Sequence, residues 1–241
     1  VISVIVPTFN RHVMCRLALD SLVGQAEDVI LVNAGTDALP HGMIPTGLTV
    51  RVIHKGHRLN QSQAINAGLA IARGDRVSIV QDDDTVLPGG LAKMSAVLDT
   101  HPEADAVYSL PQYTNVRGTY IETPTRLHGY LNAHPTIRWD DVQRDGLFIH
   151  GTATMYRRAL LAKIGGWDPD LGTAEEYDAH LRMLHGGATF VAVPAVTVTY
   201  RRHPGGKSQD RFRRRQMRQG VMAKIYARLG MAPVAETPAD P

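Results

Sequence analysis

The sequence predicts an α/β domain, with a mostly parallel sheet flanked by helices, a smaller and less regular second half, and a C-terminal helix. Three observations carry this. Short β-rich runs alternate with helical spacing through the first half, an arrangement that needs crossover connections between parallel strands. Polar clusters fall at the carboxyl ends of those runs, where open α/β sheets collect ligands. The 241 residues, 44% of them hydrophobic, suffice to bury one full core.

Residues 2–6 form the first strand, an apolar run that ends at Pro7. Val13, Leu17, Leu19 and Leu22 follow at helical spacing, and β-rich runs come next at 29–32 and 48–53. Residues 60–73 read as a helix, with Gly74 placed to close it in the left-handed conformation. Residues 77–80 are the next strand, and Asp82, Asp83 and Asp84 follow its end. The clusters 7–11, 33–37 and 81–85 can therefore meet in one site.

The second half predicts a hairpin around Gly118, a strand near 148–156, and a helix over 158–164 stopped by Gly165 and Gly166. A helix over 175–185 precedes β-rich pieces at 190–193 and 196–200, and residues 209–229 are helical in composition. Residues 232–241, with three prolines, read as a frayed tail. The expected organisation is one domain over 1–208, divided into a ligand-binding half (1–110) and a second half (111–208), then a basic helix (209–231) and the tail.

The formal charge of +3 is small, but Arg and Lys crowd into 201–228. Such a face attracts nucleotide phosphates, anionic lipid headgroups or nucleic acid, or is simply solvated, and charge alone does not choose. Arg211, Arg213, Arg214, Arg215, Arg218, Lys224 and Arg228 are expected to form an outward, acceptor-side or membrane-facing surface, with Phe212, Val221, Met222, Ile225 and Leu229 packed on the domain. Cys15 is the only cysteine, which excludes an intramolecular disulfide and a cysteine-based zinc site. No apolar run approaches the roughly 20 residues of a membrane span, and residues 1–7 lack a basic leader region. The expectation is a cytoplasmic protein, with the basic segment able to meet a membrane surface.

Three consecutive carboxylates repel one another, and a hard divalent cation such as Mn²⁺ or Mg²⁺ relieves that repulsion while keeping sites for phosphate oxygens. Alternation along an extended chain would turn Asp82 and Asp84 to one side and Asp83 to the other, with Asp84 at a strand end outside the core. The competing reading is a solvated acidic turn before Pro88.

The wider text orders these fragments. Asn60-Gln-Ser-Gln-Ala-Ile-Asn66-Ala-Gly68, Gly74-Asp75 and Gln81-Asp-Asp-Asp-Thr85 with Pro88 are followed by Gly151-Thr-Ala-Thr-Met155-Tyr-Arg-Arg158 and Gly165-Gly-Trp-Asp168. Glu175-Glu-Tyr-Asp178 with Leu181-Arg182 and Tyr200-Arg-Arg-His203-Pro-Gly complete the series. In this order they resemble glycosyltransferase family 2 over roughly residues 1–210.

The resemblance implies a GT-A (Rossmann-like) fold, a nucleotide-sugar donor, and an inverting, hexosyltransferase-type displacement onto an acceptor hydroxyl, with a saccharide or glycan as acceptor. It places the metal on Asp82 and Asp84 with His203, and turns Asp83 toward the ribose or sugar; Asp82 stands for either metal or ribose. It places the nucleotide-sugar on Pro7, Thr8, Asn10, Arg11, Asn33, Asn60 and Asn66, with Arg201, Arg202 and Lys207 as phosphate contacts or solvated charges. The general base maps to the pair Glu175-Glu176, with Glu176 favoured although the family usually carries Asp there, and Glu175 and Asp178 remaining as alternatives. Acidic residues at a helix start also suit its dipole without catalysis. Two departures bear on base recognition: Asn33-Ala34 where relatives carry aspartates, and Ile65 where an arginine is usual. A uridine diphosphate donor comes first, with guanosine or thymidine diphosphate open. Two other functions stand beside it: glycosylation of a modified nucleic-acid base, and a nucleotide-sugar-binding protein without catalysis.

Overall fold

The structure, a computed structural model, describes residues 1–123, 125–145, 147, 149–171, 174–206 and 223–230. The first half contains β1 (Ile2–Thr8), α1 (His12–Asp20), β2 (Asp28–Asn33), β3 (Val50–His54), α2 (Gln61–Ile71), β4 (Arg76–Ile79), β5 (Thr85–Val86) and α3 (Gly90–Thr100). The second half adds β6 (Ala106–Thr114), α4 (Thr125–Ala133), β7 (Thr136–Ile137), α5 (Trp139–Asp145), β8 (Thr154–Arg157), α6 (Arg158–Lys163), α7 (Glu175–His185) and β9 (Phe190–Arg201). Among the described residues one nine-stranded sheet runs in the order β3-β2-β1-β4-β8-β6-β9-β5, with β7 paired to β9.

β1 and β2 are buried along their whole length, as strands covered on both faces must be, and this is why they read as unbroken apolar runs. Their period of two divides the core. Ile5 packs with Ile30, Val32, Ile65 and Trp167 on one face, while Val4 and Val6 pack with Leu19, Leu31, Leu91 and Met94 on the other. Helix α2 approaches β1 at Gly68, where a Cβ would lie 2.5 Å from Ile5 Cγ2. Its start is fixed by a capping box between Asn60 and Gln63.

The structure departs from the sequence reading in four places. The sheet is mixed: β1, β2, β3 and β4 pair in parallel, as does β6 with β9, but β8 runs antiparallel to both β4 and β6. Gly74 does not close α2. Ala72 ends it in an extended conformation, and Gly74 is required for space, since a Cβ there would sit 2.6 Å from the Val1 carbonyl oxygen. The two expected strands at the end of the domain are one 12-residue strand, β9, whose pairing with β6 shifts register around Leu110 so that Pro194 falls at the irregularity. Of the expected strand 148–156, the described residues that join the sheet are 154–156, the start of β8, after a 3₁₀ turn at Gly151–Ala153.

Candidate active site

Because β2, β1 and β4 are neighbours and parallel, their carboxyl ends deliver three loops to one place. Thr8 Oγ1 donates to Asp82 Oδ2 at 2.9 Å, and the Phe9 N–H approaches the same oxygen at 3.3 Å. Arg11 bridges two of the acids, with Nη1 at 3.0 Å from Asp82 Oδ1 and 2.5 Å from Asp83 Oδ2. His203, just beyond β9, places Nε2 at 3.1 Å from Asp83 Oδ2. Asp84, expected outside the core, is 1% exposed; its carboxylate accepts from Thr152 Oγ1 at 2.7 Å and from the Arg201 N–H at 3.0 Å.

The geometry corrects the sidedness read from the sequence. The triplet lies in a turn, closed by the Asp84 N–H on the Gln81 carbonyl at 3.1 Å, so strand alternation does not apply. His203 meets Asp83, and not the expected partners Asp82 and Asp84. Burial raises the pKa of Asp82, an effect that Arg11 opposes. Asp84 is raised well above the usual carboxylate range by burial first and by the charge of Asp83 second. The centre thus holds negative charge at a cost, which an added cation would relieve.

Glu176 comes to the same place from the other half. Helix α7 begins after Ala174, a non-glycine residue held at φ 61°, and Glu176 Oε1 accepts from Gln81 Nε2 at 2.9 Å. Its carboxylate lies against Gly151, where a Cβ would come within 2.3 Å. The charge of Glu176 is felt by Asp84. The other two acids of the helix start have different surroundings. Glu175 is buried, and Asp178, with no exposed surface, accepts from Arg182 Nε at 2.8 Å. That arginine also donates to the carbonyls of Ile164 at 2.7 Å and Gly166 at 2.9 Å, so Asp178 anchors the double-glycine turn.

Several expected donor residues are fasteners. Asn60 caps α2 through Oδ1 and donates to the Pro169 carbonyl at 2.8 Å. Asn66 clasps the Trp167 backbone at both amide ends, at 2.7 and 2.9 Å. Asn33, 1% exposed, accepts from the Gly35 N–H and donates to the Asp37 carbonyl, with His54 Nδ1 at 3.0 Å from its Nδ2. Ile65 lies wholly in the apolar core. Arg201, 8% exposed, donates to the carbonyls of Asp83 and Val116 and is not a free phosphate contact. Arg202 is exposed, Pro7 is buried in β1, and Lys207 lies outside the described residues. Asn10 takes φ 56° and covers Gly35, where a Cβ would meet its Oδ1 at 2.6 Å.

Four residues at the site were missed in the sequence. Phe9, between Thr8 and Asn10, is exposed beneath the Arg58 guanidinium, 4.8 Å from the ring centroid. Gln81 and Thr152 hold Glu176 and Asp84. His150 packs edge-on against Tyr200 at 4.3 Å, and burial pulls its imidazole pKa down to about 4. Phe9, Gln81 and Thr152 lie inside segments already singled out and His150 directly precedes one, and that placement was the available signal.

A sheet that gathers an acidic, partly buried centre at the carboxyl ends of its parallel strands, opposite one carboxylate on a helix start, defines a GT-A glycosyltransferase. The sequence profile described as glycosyl transferase family 2 matches residues 3–165, and the chain belongs to that family. It is 29% identical over 217 residues to the uncharacterized glycosyltransferase YwdF of Bacillus subtilis (strain 168), covering 87% of this chain and 77% of that protein. Among solved structures, TarS residues 1–349 from S. aureus superposes with a TM-score of 0.69 at 17% identity, over 97% of this chain and 66% of that one. A mannosyltransferase from Pyrobaculum calidifontis, solved with GDP-Man and Mn²⁺, gives a TM-score of 0.69 at 21% identity, over 92% of this chain and 63% of that one. The chain thus spans about three quarters of the curated relative and just under two thirds of the two solved proteins. Among the described residues no helix is long and apolar enough to cross a membrane.

Proposed function

We propose that the chain transfers a sugar, with inversion, from a nucleoside-diphosphate sugar to an acceptor hydroxyl, and that Glu176 is the general base. The observation that carries this is the meeting of Glu176 with the aspartate turn through Gln81, which sets one carboxylate opposite the donor centre. The solved TarS bound to UDP-GlcNAc and the mannosyltransferase bound to GDP-Man and Mn²⁺ share this fold and support the donor class. A saccharide or glycan hydroxyl is the acceptor.

Asp83 and His203, hydrogen-bonded to each other at 3.1 Å, would supply a carboxylate oxygen and an imidazole nitrogen to a cation that replaces that bond, a donor set that suits Mn²⁺ better than Mg²⁺. Among the described residues no three His, Cys, Asp or Glu side chains are gathered into a cage, so the remaining ligands would come from the diphosphate. When bound, such a cation acts as a Lewis acid on the departing nucleoside diphosphate. Arg11 supplies a second positive charge beside Asp82 and Asp83. Thr8 and the Phe9 N–H hold Asp82 in place at the nucleoside end, where the exposed Phe9 ring offers a base a stacking face. Glu176, fixed by Gln81 and by the absence of a side chain at Gly151, takes the acceptor proton.

The test is a thermal-shift panel of UDP-, GDP- and dTDP-sugars with and without Mn²⁺. The expected result is stabilisation by one nucleotide class that depends on Mn²⁺ and is lost in Asp83→Asn. Failure of every nucleotide sugar to bind would overturn the reading.

A further inference from the structure

We propose that a cavity behind the aspartate turn is a second binding site, for a polyhydroxylated ligand of the saccharide class. The cavity measures about 580 Å³, within the ~300–1,000 Å³ of small-molecule sites. Gln25, Thr85, Thr114, Tyr120, Thr199 and Arg201 are among the residues that line it, whereas Asp82, Asp83, Glu176 and His203 do not. Alternation along β9 turns Thr199 and Arg201 away from Tyr200, so the cavity opens on the side of the strand opposite His150.

Two buried polar atoms of this wall have no partner among the described residues: Thr114 Oγ1, in a residue 2% exposed, and Gln25 Oε1. Buried polar atoms are nearly always bonded, so these two are unused hydrogen-bonding capacity in residues of the lining, although neither oxygen is open to solvent. The Thr85 and Thr199 hydroxyls, 2.6 Å apart, add a pair that both donates and accepts. Tyr120, 64% exposed, adds an aromatic face at the rim.

This is a lining for hydroxyls and for the C–H face of a sugar ring. Arg201 keeps its charge while its Nε and Nη1 donate to the carbonyls of Asp83 and Val116, so it adds a fixed cation to the wall. The same residue links the cavity to the donor centre, since its N–H holds Asp84. A ligand there bears on the turn that carries the three aspartates. Binding of a sugar in the cavity does not depend on the donor chemistry proposed above. The ligand could be a remote unit of a long acceptor or a free sugar; the chemistry is the same.

Titration calorimetry of the full chain with glucose, galactose, mannose, N-acetylglucosamine and their trimers tests this, alongside Thr114→Val and Tyr120→Ala. At least one sugar is expected to bind the unaltered protein, and saturating UDP, GDP or dTDP should not displace it. Thr114→Val should weaken that binding about five- to tenfold, the worth of one hydrogen bond. The same variant should melt no lower than the parent, because it removes an unpaired atom. Tighter binding of a trimer in the presence of donor identifies an acceptor unit; equal binding of the monosaccharide with and without donor identifies a free sugar. The proposal is overturned if no sugar binds, if Thr114→Val binds as the parent does, or if a nucleotide competes the sugar away.

Discussion

Single residues differ in what their charge costs, and two aspartates show the contrast, one at the amino end of β2 and one at the site. Asp28 is pushed up by burial, but hydrogen bonds from Ser3, the Arg73 N–H and Arg51, with the Arg51 charge, outweigh this and lower its pKa. Its contribution to stability is therefore present above the ordinary value of 3.8 and lost as pH falls through the lower folded value. Asp84 is raised, so its contribution has the opposite sign: full below 3.8 and lost as pH rises through its folded value. Asp84→Asn is accordingly expected to raise the melting temperature without metal at neutral pH, and to lose that advantage in acid. Melting curves across pH check it, and an Asn variant less stable than the parent at neutral pH would contradict the burial argument. On α7, Asp178 is wholly buried against Arg182. Asp178→Asn should cost about 3–5 kcal/mol, as for breaking a buried pair from one side, visible in denaturant unfolding.

At the scale of elements, close packing that only glycine permits sets the site. Gly68→Ala drives a methyl into Ile5, and is expected to cost about 1–3 kcal/mol, typical of overpacking, with donor binding retained in the folded fraction. Gly151→Ala would displace the Glu176 carboxylate. Transfer should fall while nucleotide-sugar affinity stays near the parent value, and separate measurement of the two distinguishes this from general damage. The buried strands β1, β2 and β4 were legible because apolar runs and strand-end polar clusters report burial directly, and α7 because its acidic start is distinctive. Helix α3 and strand β6 were not. Gly90 and Pro111 break the local pattern, yet Gly90 is needed where a Cβ would lie 2.3 Å from the Thr197 carbonyl, a contact between residues far apart in the chain. The partnership of Asp83 with His203 was hidden for the same reason, because a turn and a distant strand end create it. The fastening roles of Asn60 and Asn66 also depend on tertiary neighbours.

At the scale of the molecule, the two halves are joined through the site: Gln81 of the first holds Glu176 of the second, and Thr152 and Arg201 of the second hold Asp84 of the first. Of the basic residues expected to face outward, Arg211, Arg213, Arg214, Arg215 and Arg218 lie outside the described residues, while Arg228 turns back to pair with Asp168 and, at 3.5 Å, with Asp178. Ile225 is buried as expected, so residues 223–230 do pack on the domain. The central claim is that this junction performs a base-assisted sugar transfer on a bound nucleotide sugar. It is tested most directly by measuring donor affinity and transfer rate separately in Glu176→Gln, with the donor and cation found to bind the parent. Affinity within error of the parent, with transfer slowed by about 10² to 10⁴, is the predicted result for a positioned general base; transfer at the parent rate would contradict it.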